Sequence, residues 1–101
     1  MSEAVARFRR AAIERAVNGE GSSSTSARKA ALENRDVPEG ARALIEKVAK
    51  NAWKVTDEDV AAAKKSGLSE DEIFELVVCA AYGQATRQLE SALAAVEKAK
   101  T

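Results

Sequence analysis

Residues 69–99 read SEDEIFELVVCAAYGQATRQLESALAAVEKA. Ser69, followed three residues later by Glu72, is the signature of a capping box. The hydroxyl accepts from an amide of the first turn, and the glutamate reaches back to the cap. Beyond it, Ile73, Phe74, Leu76, Val77, Val78, Cys79, Ala80, Ala81 and Tyr82 are apolar on nearly every side of a helix, with Glu75 the exception. The pattern predicts one long helix over Glu70–Ala99. About thirty residues reach about 45 Å, longer than a small domain is wide. A segment greasy all round is buried all round, and four short helices are too few to surround it. The expectation is that 73–82 packs in an oligomeric core against copies of the same chain. Farther along, Ala85, Leu89, Ala92 and Val96 leave a narrower, half-exposed stripe. Gly83 costs helix stability of about 1 kcal/mol relative to alanine, so it implies the close approach of a second helix. Arg87 follows the apolar run and is expected to pair with an acidic residue, of this chain or of another subunit.

Working outward, four shorter helices precede this one. Thr56, followed by Asp57, Glu58 and Asp59, caps a helix that Lys64, Lys65 and Gly67 end. A helix over 38–53 places Ala41, Leu44, Ile45, Val48, Ala49 and Ala52 on one face, with Pro38 in its first turn. A short helix over 26–34 turns Arg28, Lys29 and Arg35 outward, and Asp36-Val37-Pro38 breaks it. The first helix, over 3–17, carries a stripe of Val5, Phe8, Ala12 and Ala16. Asn18 and Gly19 end it, because both tolerate positive φ. Residues 19–26, GEGSSSTS, read as a flexible connector with too little apolar surface to offset the entropy of ordering. They lack the glycine spacing and GK[ST] ending of a phosphate-binding loop. No segment alternates with the period of a strand. The fold class is all-α, with about five helices in a single domain.

Composition narrows the chemistry. The 101 residues hold 16 basic and 16 acidic side chains, so no global charge draws the chain to nucleic acid or an anionic membrane. Aromatics make up only 4% of the residues, and much of the apolar content is alanine, which favours helices. There is no histidine and one cysteine, Cys79. Thiol–disulfide cycling within the chain, histidine acid–base catalysis and the usual zinc sites are thereby excluded. A lone cysteine, no apolar signal core near the first residues and no membrane-length apolar run give a cytoplasmic expectation.

The stretch 55–95 brings a family into view. Ala63-Lys64-Lys65-Ser66-Gly67-Leu68-Ser69-Glu70-Asp71-Glu72-Ile73 resembles the helix–turn–helix of the alkylhydroperoxidase D-like and carboxymuconolactone decarboxylase-like superfamily. The alanine-rich helix with Arg87 that follows is also similar, and the likeness spans roughly 38–95. It implies an all-helical, oligomeric architecture, commonly of trimers or hexamers, so that a dimer, trimer or hexamer is expected. Redox members carry Cys-x-x-Cys-x-x-x-His before this turn and a glutamate one helix earlier. Counting back from Gly67, the cysteine positions fall on Ala52 and Val55, the histidine position on Asp59, and the glutamate position near Gly40 with Glu39 beside it. The peroxidase mechanism is not carried over.

Each candidate site residue also has a packing reading. Cys79 lies mid-helix among apolar neighbours, where burial raises a thiol pKa, so it reads as an inert core cysteine. Asp57, Glu58 and Asp59 point in different directions around a helix and suit a cap better than a metal. A di-metal site on Glu70, Asp71, Glu72 and Glu75 lacks the Glu-x-x-His that bundles use. Neither metal nor cofactor is expected. Trp53 and Tyr82 line either a residual pocket or a packed interface, with Cys79, Gly83 and Arg87. Arg7, Arg9, Arg10 and Arg15 form a basic cluster interleaved with acids. The leading expectation is a degenerate, non-redox family member acting as an oligomeric small-molecule-binding or scaffold protein. Its rivals are a lactone decarboxylase-like enzyme using Glu39, Asp59 and Tyr82, and an adaptor using the basic first helix.

Overall fold

A computed structural model describes residues 3–100. Among them it contains five α-helices and no strand: α1 (Glu3–Asn18), α2 (Thr25–Glu33), α3 (Arg42–Asn51), α4 (Asp57–Lys65) and α5 (Glu70–Ala99). Single 3-10 turns, Glu39–Ala41 and Ala52–Lys54, flank α3 where the sequence suggested one continuous helix.

The helix starts follow from side-chain oxygens. Ser24, Thr56 and Ser69 each accept an amide proton of the following turn, so orphan donors are satisfied locally. At Ser69 the capping box is complete, with Glu72 accepting from the Ser69 amide at 2.9 Å. Thr56 forms a second box with Asp59. Gly67 ends the α4 turn at φ +110°, a conformation that excludes an ordinary side chain. The end of α1 differs from expectation, because neither Asn18 nor Gly19 adopts positive φ. Gly19 is required there for space: a side chain would strike the Arg15 carbonyl. Asn34, at φ 52°, ends α2 in the left-handed region.

One cluster forms the core, drawing Val17 from α1, Ala31 from α2, Leu44, Ile45 and Val48 from α3, Ala63 from α4, and Ile73, Leu76, Cys79 and Ala80 from α5. Ile45, Leu76 and Cys79 are its largest fully buried side chains. Ser23 lies beside Glu75 and Leu32 beside Arg87, so α2 runs alongside α5 in the same direction. Ala16 lies beside Cys79, while Ile13 shares a hollow with Gly83 and Thr86, so α1 runs the opposite way. The 30-residue α5 sets the long axis of a 51 × 28 × 19 Å body.

The expected face of α1 is corrected, and that of α5 is only partly covered within the chain. On α1, Ile13, Ala16 and Val17 meet the core, whereas Phe8 is 73% exposed and Val5 54%. Only the last turns of α1 reach the body, so the stripe at its other end has no core to face. On α5, the short helices cover one side of 73–82 completely but leave Ala81 exposed and Phe74 68% exposed. Within one chain this segment is amphipathic in environment though not in sequence.

Candidate functional site

The family-derived positions come first. Ala52 and Val55 sit at the two ends of one tight turn, the Val55 amide donating to the Ala52 carbonyl at 3.2 Å. Gly40 presses on Ser66 so closely that any side chain at that position would collide. Glu39 is solvent-exposed and paired with Arg42 at 3.0 Å. The Asp59 carboxylate accepts from Lys47 at 2.8 Å and from the Thr56 amide and hydroxyl at 2.9 and 3.0 Å. The Lys47 hydrogen bond, then the Thr56 amide, hold its pKa below the ordinary carboxylate range. A base or acid working near neutral pH needs the opposite shift. Asp59 is therefore a helix cap tied to α3.

Trp53, in the 3-10 turn after α3, is 80% exposed, with the Lys54 ammonium 5.1 Å from its ring centroid. It lines no core. Tyr82 is half-buried on α5. Cys79 is fully buried, its thiol 3.5 Å from the Ala16 carbonyl, and burial pushes its pKa up. The thiolate needed for nucleophilic chemistry is disfavoured there. Gly83 takes the Leu32 carbonyl directly against its backbone, so the close helix is α2 of the same chain. Arg87 has a backbone partner within the chain. Its guanidinium donates to that same Leu32 carbonyl at 3.0 Å, satisfying the exposed end of α2 with a cation. The basic cluster of α1 is also divided: Arg10 pairs with Glu3 at 3.4 Å, and the Nε and Nη1 of Arg9 are shielded from solvent.

The arrangement that sequence reasoning missed centres on Glu75. Its carboxylate accepts from the Ser23 hydroxyl at 2.6 Å, the Ser23 amide at 2.8 Å and the Ser22 amide at 2.9 Å. These bonds, the Ser23 hydroxyl first, draw its pKa below the ordinary range. Ser23 itself is buried. The 19–24 stretch thus has a partner that composition did not reveal. Arg28 completes the cluster. Expected outward, it is buried, and its guanidinium donates to the Gly19 carbonyl at 2.7 Å, the Ala16 carbonyl at 3.2 Å and the Ser23 carbonyl at 3.3 Å. A cation here completes the carbonyl end of α1 and fastens the loop beneath it. The available signal was Glu75 itself, the one charge inside an apolar run, together with a loop rich in donors.

An apolar groove of about 280 Å³ lies between α4 and α5, lined by Val60, Ile73, Phe74 and Val77, with Lys64 and Glu70 at its rim. Lys64 and Glu70 pair across it at 2.7 Å, and that lysine lowers the Glu70 pKa.

No protein-family model, no curated protein and no solved structure matches this chain. Among the described residues no three acidic or cysteine side chains gather closely enough to hold a metal ion. None of their helices is long and apolar enough to cross a membrane. The carboxylates of Asp59, Glu70 and Glu75 are all stabilised as anions by their hydrogen-bond partners.

Proposed function

We propose that this chain is a non-redox, degenerate relative of the carboxymuconolactone decarboxylase-like family that works as a self-associating helical scaffold. One observation carries the reading: the outer side of α5 is uncharged, apolar apart from Gln88, and open from Phe74, 68% exposed, to Val96, 55% exposed. Apolar surface extending along an entire helix marks an association site in a protein that stays in solution. The kinship rests on the Gly67-Leu68-Ser69 turn and the helix pair that it joins. A cytoplasmic setting belongs to the same proposal and rests on the single reduced cysteine.

The carboxylate-enzyme alternative is disfavoured by the low pKa of Asp59 and the exposure of Glu39. Sedimentation equilibrium tests the scaffold reading directly. At micromolar concentration the mass should be a multiple of 10.7 kDa; a monomer would remove the basis for the proposal.

A further inference from the structure

From the geometry of α5 we infer that the occupant of its open face is the α5 of a second copy, running antiparallel and in one register. This rests on the self-association proposed above and adds the partner element, its direction and its alignment.

Three observations lead there. The first is spacing. From Phe74 the outward residues recur in alternating steps of four and three, through Val78, Ala81, Ala85, Gln88, Ala92 and Ala95 to Ala99. These positions keep to one side of α5 along its length, a stripe that a second helix can cover. Of these residues, Val78 is half-buried and the rest are exposed.

The second is charge. No ionisable side chain interrupts the seam across its length. Glu75 is turned to the serine loop and Arg87 to the end of α2. The ends of α5 keep opposite net charge: Glu70, Asp71 and Glu72 in the first turn, with Glu70 paired to Lys64, and Lys98 in the last turn, with Lys100 just beyond it paired to Glu97. A parallel pair would place acid on acid and base on base. The antiparallel pair sets each acidic end against the partner's basic end and opposes the two helix dipoles.

The third is fit. The residue numbers of facing positions sum to a constant in an antiparallel seam. Centring between Ala85 and Gln88 places Ala81 opposite the partner's Ala92, Val78 opposite the partner's Ala95 and Phe74 opposite the partner's Ala99. Large residues then meet small ones. The far end of the second helix enters the groove formed by Val60, Ile73, Phe74 and Val77. Contact over about 39 Å of helix at the 8–10 Å spacing of packed helices covers on the order of 500 Å² on each copy, reaching the lower size of a specific interface.

The test combines assembly state with register. Wild-type protein should sediment as two copies, and Ala92→Glu, at an exposed position, should halve that mass while the helical circular dichroism is unchanged. Ala81→Cys mixed with Ala92→Cys under oxidised glutathione should give a disulfide-linked pair, and neither variant alone should do so. If the wild type assembles but Ala92→Glu assembles equally, self-association stands and this face is not its site. Self-linking of Ala81→Cys without preference for the mixture means a parallel pair and overturns the inference. A wild-type monomer overturns both readings and leaves the face to a different protein.

Discussion

Replacing Glu75 by alanine separates two accounts of the one charge in the 73–82 segment. If Glu75 were merely a solvated carboxylate interrupting an apolar helix, alanine would be neutral or stabilising, because it is the better helix former. The structure gives the opposite sign. Removing the carboxylate deprives the Ser22 amide, the Ser23 amide and the Ser23 hydroxyl of their acceptor. The Ser22 amide can turn to water. Ser23 is buried, and an orphaned buried donor costs about 1–3 kcal/mol. The net loss should be about 2 kcal/mol, which for a domain of this size lowers the melting temperature by about 8–16 °C. Thermal and urea unfolding followed by circular dichroism measure it. Ser23→Ala should cost less alone, and the double variant less than the sum, since both remove the same contacts. A melting temperature for Glu75→Ala equal to or above wild type would refute the account of the loop.

Four further outcomes follow from the same geometry. Gly83→Ala should destabilise by about 1–3 kcal/mol, because its methyl group collides with the Leu32 carbonyl and forces α2 away from α5; urea midpoints check this. Arg28→Met, similar in length but unable to donate, should cost about 3 kcal/mol by leaving the end of α1 and the loop carbonyls unpaired; amide exchange should rise across 16–24 first. Cys79 should resist a thiol reagent in the native protein and react at the unfolding rate, since it is buried and its pKa is raised. Stability should fall on acidification. Asp59, Glu70 and Glu75 have folded pKa values below their unfolded ones, so their contribution is complete above the ordinary carboxylate range and is lost as pH drops through the lowered values; a melting temperature unchanged between neutral and strongly acidic pH would contradict this.

The punctuation of the fold was legible in the sequence because it is local. Ser69 and Thr56 act on amides three residues away, and Gly67 answers to its own φ, so a window of a few residues holds the whole cause. The azimuth of each helix was not legible. Phe8 and Ile13 are equally apolar, and only the reach of the body decides that Ile13 is covered and Phe8 is not. Arg28 was misplaced for a related reason: its partners are backbone carbonyls of α1 and the loop, which leave no mark in composition. The serine-rich stretch lacked apolar weight, yet its anchor is a carboxylate 52 residues away. Of the candidate site, the extent of the apolar face could be read from periodicity, whereas the commitment of Asp59 to Lys47 could not.

The serine clasp on Glu75 also works as an indexing pin. Advancing α5 by a single residue would rotate it by about 100° and tear the carboxylate from its three donors. Neighbouring alanines, small and nearly interchangeable, would resist such a slip only weakly. A polar bolt at one point therefore keys the azimuth of the entire rod, and with it the side of that rod that the molecule shows to the outside.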